Sequence, residues 1–317
     1  MTKVLLSDIG ATRARFAVLF SGVVGPVTSL DVSDYATAAD AVAEFLRRGG
    51  GGEKFDGAVF GVAGPVDGPR CAMTNARWVV DAIELQQRFA LGPVRIINDL
   101  AALALALPHL GRADLRSIGP EEGRPGEPLA IVAPGTGLGM ACLLRGGYGA
   151  RVLTSEGGHA SLAAGSAREA ALVTILHRRF GHVSAERVLS GSGLVNLYEA
   201  IAELEGARPE RRTPAQVTRA AVEGSCARSR EALDAFCGFL GAVAGNAALM
   251  FGARGGVYIG GGIVPRIVDH LAVTSFRARF EAKGRFHRYL AAIPTKVVMK
   301  PDPAFVGLAA LGSAGHG

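Results

Sequence analysis

DIGATRARFAVL, residues 8–19, sets a glycine turn between two apolar runs. With the residues around it, VLLSD reads as a strand, GAT as the turn and ARFAVLF as a second strand rich in β-favouring side chains. About 125 residues later APGTGLGMACLL, residues 133–144, repeats the order strand, glycine turn, strand. AVFGVAG at 58–64 has a similar echo in VYIGGGI at 257–263. A duplicated, strand-rich α/β unit accounts for both echoes and predicts two related lobes with a cleft between them. A chain of 317 residues that is 49% hydrophobic also fits two cores better than one.

Between the two hairpins, apolar periodicity predicts a helix over Thr37 to Arg48, with Val42, Phe45 and Leu46 on one face and the glycines at 49–52 ending it. GAVFGVAG and VRIIND read as short buried strands, IELQQRF and AALALALPHL as helices. IGPEEGRPGEP at 118–128 is a loop, which puts the lobe junction near Pro108. Further on, Ser166 with Glu169 makes a capping box, and Thr213-Pro214 with Gln216 starts another helix. GGVYIGGGIVP is a buried strand running into a glycine turn, and PDPAFVGLAALGSA a final helix.

The net charge is +6, but the basic residues are scattered and no basic stripe with interleaved aromatics occurs. That pattern argues against nucleic acid and for a solvated surface that attracts anionic substrates. Cys71, Cys142, Cys226 and Cys237 form no CxxC pair and no zinc pattern, which predicts reduced, mostly buried thiols in a cytoplasmic protein. The first residues reach Asp8 without a signal-peptide core. Residues 236–253 are uncharged, yet they contain Asn246 and four glycines and end at Arg254, so a helix buried in the larger lobe is expected rather than a membrane span.

Two turns suit a triphosphate. Asp8-Ile9-Gly10-Ala11-Thr12 and Gly135-Thr136-Gly137-Leu138-Gly139 each expose backbone N–H groups and a hydroxyl, and small residues let phosphate approach. The Walker pattern GxxxxGK[ST] is absent, and Met140 stands where the last glycine of GxGxxG belongs, which disfavours P-loop and dinucleotide-binding readings. Asp8 either holds water on a phosphate-bound Mg²⁺ or caps the turn. Asn98 and Asp99 end a buried strand, where open α/β sheets place ligand groups; helix capping is the plain alternative for Asp99. Glu156 and His159 in SEGGHAS, and Glu186 in SAERVLSGSG, are groups that bond neighbouring sugar hydroxyls. Taken singly, Glu186 reads as a solvated or salt-bridged side chain.

AMTNARW at 72–78, IIND at 96–99, GTGLG at 135–139, EGGH at 156–159, GHVSAERVLSGSGLVNLY at 181–198 and GGVYIGGGIVPR at 255–266 occur in order along the chain. In these segments, and along nearly its whole length, the chain resembles the bacterial glucokinases of the hexokinase/actin-like ATPase superfamily. The resemblance implies an α/β, two-lobed actin-like ATPase (ribonuclease H-like) fold with a central cleft. Residues 1–108 plus 301–317 would form the small lobe and 109–300 the large one. It further implies that Asp99 is the catalytic base and that Asn98, Glu156, His159 and Glu186 bind glucose. Asp8, Ile9, Gly10, Ala11 and Thr12 would form the first phosphate motif, Gly135, Thr136 and Gly137 the second, and Gly261 and Gly262 the adenosine motif. ATP with Mg²⁺ would be the donor, no residue would form a resident metal site, and the protein would be a cytoplasmic homodimer feeding glycolysis.

SLAAGSAREA after the EGGH segment contains no cysteine, unlike the zinc-bearing repressor and sugar kinase (ROK) group, and no N-terminal helix-turn-helix is present. The first motif departs from the family's DxGGTN. If position 11 needs positive φ, Ala11 is strained by ~1 kcal/mol or more; if it needs close approach, the methyl crowds phosphate. Arg13, in place of Asn, either offers a fork to a phosphate oxygen or points into solvent. A hexokinase of different sugar preference and a non-catalytic sugar sensor are the alternatives.

Overall fold

A computed structural model describes residues 2–49, 54–74, 76–146 and 149–314. Gly50, Gly51, Gly52 and Asn75, part of two features read from the sequence, lie outside the described residues. The chain divides into two compact units, Met1–Leu110 with Lys300–Gly317, and Gly111–Met299.

In the first unit the strands Lys3–Ile9 and Arg13–Phe20 form an antiparallel hairpin, with Asp8 opposite Arg15 and Ile9 opposite Ala14. Lys3–Ile9 then pairs in parallel with Gly57–Val62, which pairs in parallel with Val94–Asn98. Gly57–Val62 is buried at every position, as a parallel strand covered on both faces should be. The alternation of a strand sorts its side chains between two layers. Leu5, Ile9, Phe16 and Phe60 pack with Val42 and Phe45 of the helix Ala38–Arg48, and the Phe16 and Phe45 rings stack with centroids 5.2 Å apart. Val4, Leu6, Ala17 and Val59 face the other way, against Ala102, Phe305 and Leu308. Ala102 belongs to the helix Asp99–Ala106, Phe305 and Leu308 to the terminal helix Ala304–Ala314.

Leu308 is fully buried in that second layer. Leu308→Ala should therefore lower stability by ~3 kcal/mol through lost transfer energy and an unfilled cavity. Urea unfolding measures it, and a loss of less than ~1 kcal/mol would show that the terminal helix is not part of this core.

The second unit repeats the connectivity. Leu129–Pro134 and Leu138–Leu144 form the antiparallel hairpin, and Leu129–Pro134 pairs in parallel with Gly256–Ile259, itself parallel to Thr295–Val298. The two echoes in the sequence are thus corresponding hairpins and corresponding neighbour strands. The helix Ala227–Phe251 is long and apolar enough to cross a membrane by length and composition, but most of it is buried. Its Phe236, Phe239 and Leu240 pack in one cluster with Phe276 and Phe280.

Helix starts follow local chemistry. Thr213 and Gln216 form a complete capping box, as does Thr37 with Asp40. Ser166 accepts from the Glu169 N–H, but the reciprocal half is missing. The Glu169 carboxylate instead accepts from Gly165 N–H at 2.6 Å and pairs with Arg279 at 2.7 Å. A guanidinium pair together with another backbone N–H holds the carboxylate that a capping box would have used.

Candidate active site

In the first unit the parallel strands end together, which sets their last residues side by side at one edge. Ile9 lies beside Val62, and Val62 beside Asn98. Asn98, not Asp99, is the helix N-cap: its side-chain oxygen accepts from Leu100 N–H at 3.0 Å and its amide donates to Gly64 O at 3.1 Å. Asp99 occupies the first helical position, with Oδ1 2.9 Å from Leu100 N. The capping alternative thus falls on Asn98, whose amide keeps one further N–H for a ligand. Asp99 is close enough to Cys71 to act on it: burial first, then the Asp99 charge, pushes the Cys71 thiol up to about 11.

The first glycine turn closes with Gly10 N–H donating to Arg13 O at 2.9 Å. Among the described residues the non-glycine positions with positive φ are Ser21, Ala90 and Asp302, so Ala11 carries no backbone strain. Arg13 is exposed and lies along the neighbouring strand Thr28–Asp31, 3.6 Å from Asp31. Asp8 is only 5% exposed, and its Oδ2 is 2.7 Å from a guanidinium nitrogen of Arg15. The same guanidinium reaches Asp302 Oδ1 at 2.7 Å. Burial pushes the Asp8 carboxyl above the ordinary range, Arg15 pulls against that, and Asp302 adds to it. Burial pulls the Arg15 guanidinium down, but Asp8, Asp302 and Asp99 together hold it above its usual value. One cation therefore serves three carboxylates on this side of the site.

Sequence reading missed Arg15 and Asp302. The signal for Arg15 was present, since a turn at Gly10–Thr12 sets Asp8 and Arg15 directly opposite. Asp302 carried no local signal.

In the second unit, Gly135 N–H donates to Gly137 O at 2.8 Å, closing the second turn. Among the described residues the N–H groups of Thr136 and Gly137 donate to no protein acceptor, an arrangement able to receive an anion. Glu186 Oε2 accepts from Leu138 N–H at 2.9 Å and fills the space that a Cβ on residue 137 would need. Gly191 N–H, at the start of the helix Gly191–Leu204, donates to Gly135 O at 2.9 Å. Glu186 N–H donates to Gly158 O at 2.9 Å, which ties the same segment to EGGH. Glu156 and His159 are exposed, their side chains 3.9 Å apart, too far for a hydrogen bond. Gly261, at φ +79°, packs on Pro134 O where no side chain fits, so the Gly261-Gly262 turn abuts the second glycine turn.

Each unit thus brings together part of the expected set: Asp8 to Thr12 with Asn98 and Asp99 in the first, and Gly135 to Gly137 with Glu156, His159, Glu186, Gly261 and Gly262 in the second. Among the described residues no group of three or more His, Cys, Asp or Glu side chains is arranged to hold a metal ion, and all four cysteines are free thiols.

A glucokinase family model matches residues 5–314. The chain is 46% identical to the glucokinase of Paramagnetospirillum magneticum over 97% of both chains. It is 46% identical to that of Aromatoleum aromaticum over 96% of this chain and 93% of the relative. The crystal structure of a glucokinase from an Antarctic psychrotroph matches with a TM-score of 0.88 at 34% identity, covering 99% of each chain. The α/β fold is the actin-like ATPase fold of those enzymes. The sequence and fold matches span nearly the whole chain, and the chain belongs to the glucokinase family, sugar kinases that phosphorylate glucose.

Proposed function

We propose that the chain transfers the γ-phosphoryl group of ATP to the 6-hydroxyl of glucose, with Asp99 as general base. The observation that carries this is the place of Asp99: the carboxyl end of a parallel strand, in the first turn of its helix, with capping assigned to Asn98. Asn98, Glu156, His159 and Glu186 hold the sugar hydroxyls, since carboxylates, an amide and an imidazole can each bond neighbouring hydroxyls. The backbone donors of Thr136 and Gly137, with the Asp8 to Thr12 turn, face phosphate oxygens, and Gly261 with Gly262 leaves room for adenosine.

The chemistry is in-line transfer. Holding the hydroxyl against the γ-phosphorus supplies orientation. Asp99 accepts the hydroxyl proton as the O–P bond forms and the bond to ADP breaks. Mg²⁺ arrives as part of the ATP substrate and neutralises phosphate charge. The Asp8 carboxylate fits a role through water rather than direct ligation, because it is buried and one of its oxygens is taken by Arg15. Arg13 pairs along its own sheet, which supports a solvent-side role rather than a phosphate fork; Arg13→Asn should leave the KM for ATP unchanged, and a rise in that KM would restore the phosphate role.

We also place the enzyme in the cytoplasm as a homodimer whose product enters glycolysis, as the likeness to bacterial glucokinases supports. A coupled ADP-release assay with glucose, mannose, fructose and glucosamine tests substrate choice. Glucose should give the highest kcat/KM. A higher value for another hexose would reassign the acceptor, and sugar binding without ADP release would make the chain a sensor.

A further inference from the structure

We infer that Glu186 couples the two substrates: one carboxylate oxygen braces the donor turn, the other takes a sugar hydroxyl, and glucose thereby tightens nucleotide binding. Glu186 can do this only if it is a glucose ligand, the role proposed for it above.

The segment 186–191 grips both arms of the second phosphate turn. Glu186 Oε2 accepts from Leu138 N–H at 2.9 Å on one arm, and Gly191 N–H donates to Gly135 O at 2.9 Å on the other. Ser190 Oγ, donating to Glu186 O at 2.8 Å and accepting from Gly193 N–H at 3.0 Å, fixes the segment to the helix it starts. On the sugar side, Glu186 N–H donates to Gly158 O and Ala185 N–H to Ala160 O, each at 2.9 Å. Glu186 is thus hydrogen-bonded to both substrate regions. Its Oε1 has no hydrogen-bond partner among the described residues.

This placement has an electrostatic consequence. A half-buried carboxylate touching a phosphate-binding turn repels the anionic nucleotide. A sugar hydroxyl donating to Oε1 draws off part of that charge and fixes the carboxylate in the rotamer that keeps Oε2 on Leu138 N–H. Both effects favour the nucleotide only when sugar is bound. By linkage the nucleotide must favour the sugar by the same factor.

Calorimetric titration of magnesium–ADP with and without saturating glucose, and of glucose with and without magnesium–ADP, tests this. The wild-type chain should show ~10-fold tightening in both directions. Glu186→Gln keeps an acceptor for Leu138 N–H and removes the charge. It should bind ADP ~3-fold or more tightly in the absence of glucose, with the coupling factor falling below ~2. A purely structural Glu186 predicts the opposite, weaker ADP binding. Gly137→Ala, whose Cβ displaces Oε2 without altering the carboxylate, should also abolish most of the coupling. Equal ADP affinity with and without glucose in the wild type overturns the inference, as does unchanged coupling in both variants or weaker ADP binding by Glu186→Gln. ADP release from ATP and glucose by the wild type, measured in parallel, separates the cases. Its absence defeats the kinase reading, whereas release without coupling defeats only the role given to Glu186.

Discussion

Asp99→Asn is expected to lower kcat by ~100-fold or more, about 2.7 kcal/mol of transition-state stabilisation, while glucose still binds. The substitution is nearly isosteric. The Asn side-chain oxygen can still accept from Leu100 N–H as Asp99 Oδ1 does at 2.9 Å, and Asn98 remains the cap, so the helix should form unchanged. On the proposed mechanism, what is lost is the basic carboxylate oxygen that takes a proton as the sugar oxygen attacks. An amide cannot serve as that base. Because the loss falls on a transition-state interaction, kcat and kcat/KM should fall together, and glucose affinity by calorimetry should change little. The thiol of Cys71 supplies a second readout. Burial is the larger cause of its raised pKa, about 11, and the Asp99 charge the smaller, so the variant's thiol should titrate somewhat lower. Near-normal turnover in Asp99→Asn would remove Asp99 from the chemistry.

Arg15→Met should cost ~3 kcal/mol of stability, because it leaves the Asp8 carboxylate buried without its cation. The lower end of the usual range applies, since the Arg15 side chain is itself about one-third exposed. Asp302 would lose its partner as well. That residue holds φ at +46° ahead of Pro303, a conformation that costs an L-residue ~1–2 kcal/mol, and its carboxylate is the group fastened to Arg15. The pH dependence has a definite sign. The Asp8 carboxyl titrates above its ordinary value in the folded chain because burial outweighs Arg15, and removing Arg15 raises it further. Over the range between the unfolded and folded pKa values the native state then holds more protons than the unfolded chain, and stability falls as pH rises. The deficit of Arg15→Met should therefore be largest above neutrality and shrink on acidification as Asp8 takes up a proton. Urea unfolding of both proteins at pH 8 and pH 5 measures this. Equal deficits at the two values would mean that Asp8 is not the group left stranded.

The duplicated hairpins were legible because glycine turns between β-rich runs leave a local signature, and the parallel neighbours because buried strands are short apolar runs. Asn98 and Asp99 were legible as a strand end. Their division of labour was not, because either side chain can cap and only the backbone geometry decides. Family likeness, rather than any local pattern, supplied the proposal that Glu186 binds sugar. Its bond to Leu138 N–H joins residues 48 apart, and no local pattern announces such a contact. The same holds for Arg15 and Asp302, 287 residues apart, which meet because the terminal helix packs on the first unit's sheet. Ser166 and Glu169 match the capping-box spacing, yet Arg279, 110 positions from Glu169, takes the carboxylate. Local chemistry proposes each helix start, and long-range charge can redirect it.

The most direct measurement is ³¹P NMR of the purified protein with glucose and one donor at a time: ATP, ADP or polyphosphate. With ATP and Mg²⁺, the γ-phosphorus signal should be replaced one for one by a 6-phosphate ester as ADP accumulates, and ADP and polyphosphate alone should give no ester. Loss of ATP to inorganic phosphate without ester, or ester formed from polyphosphate but not from ATP, would contradict the account.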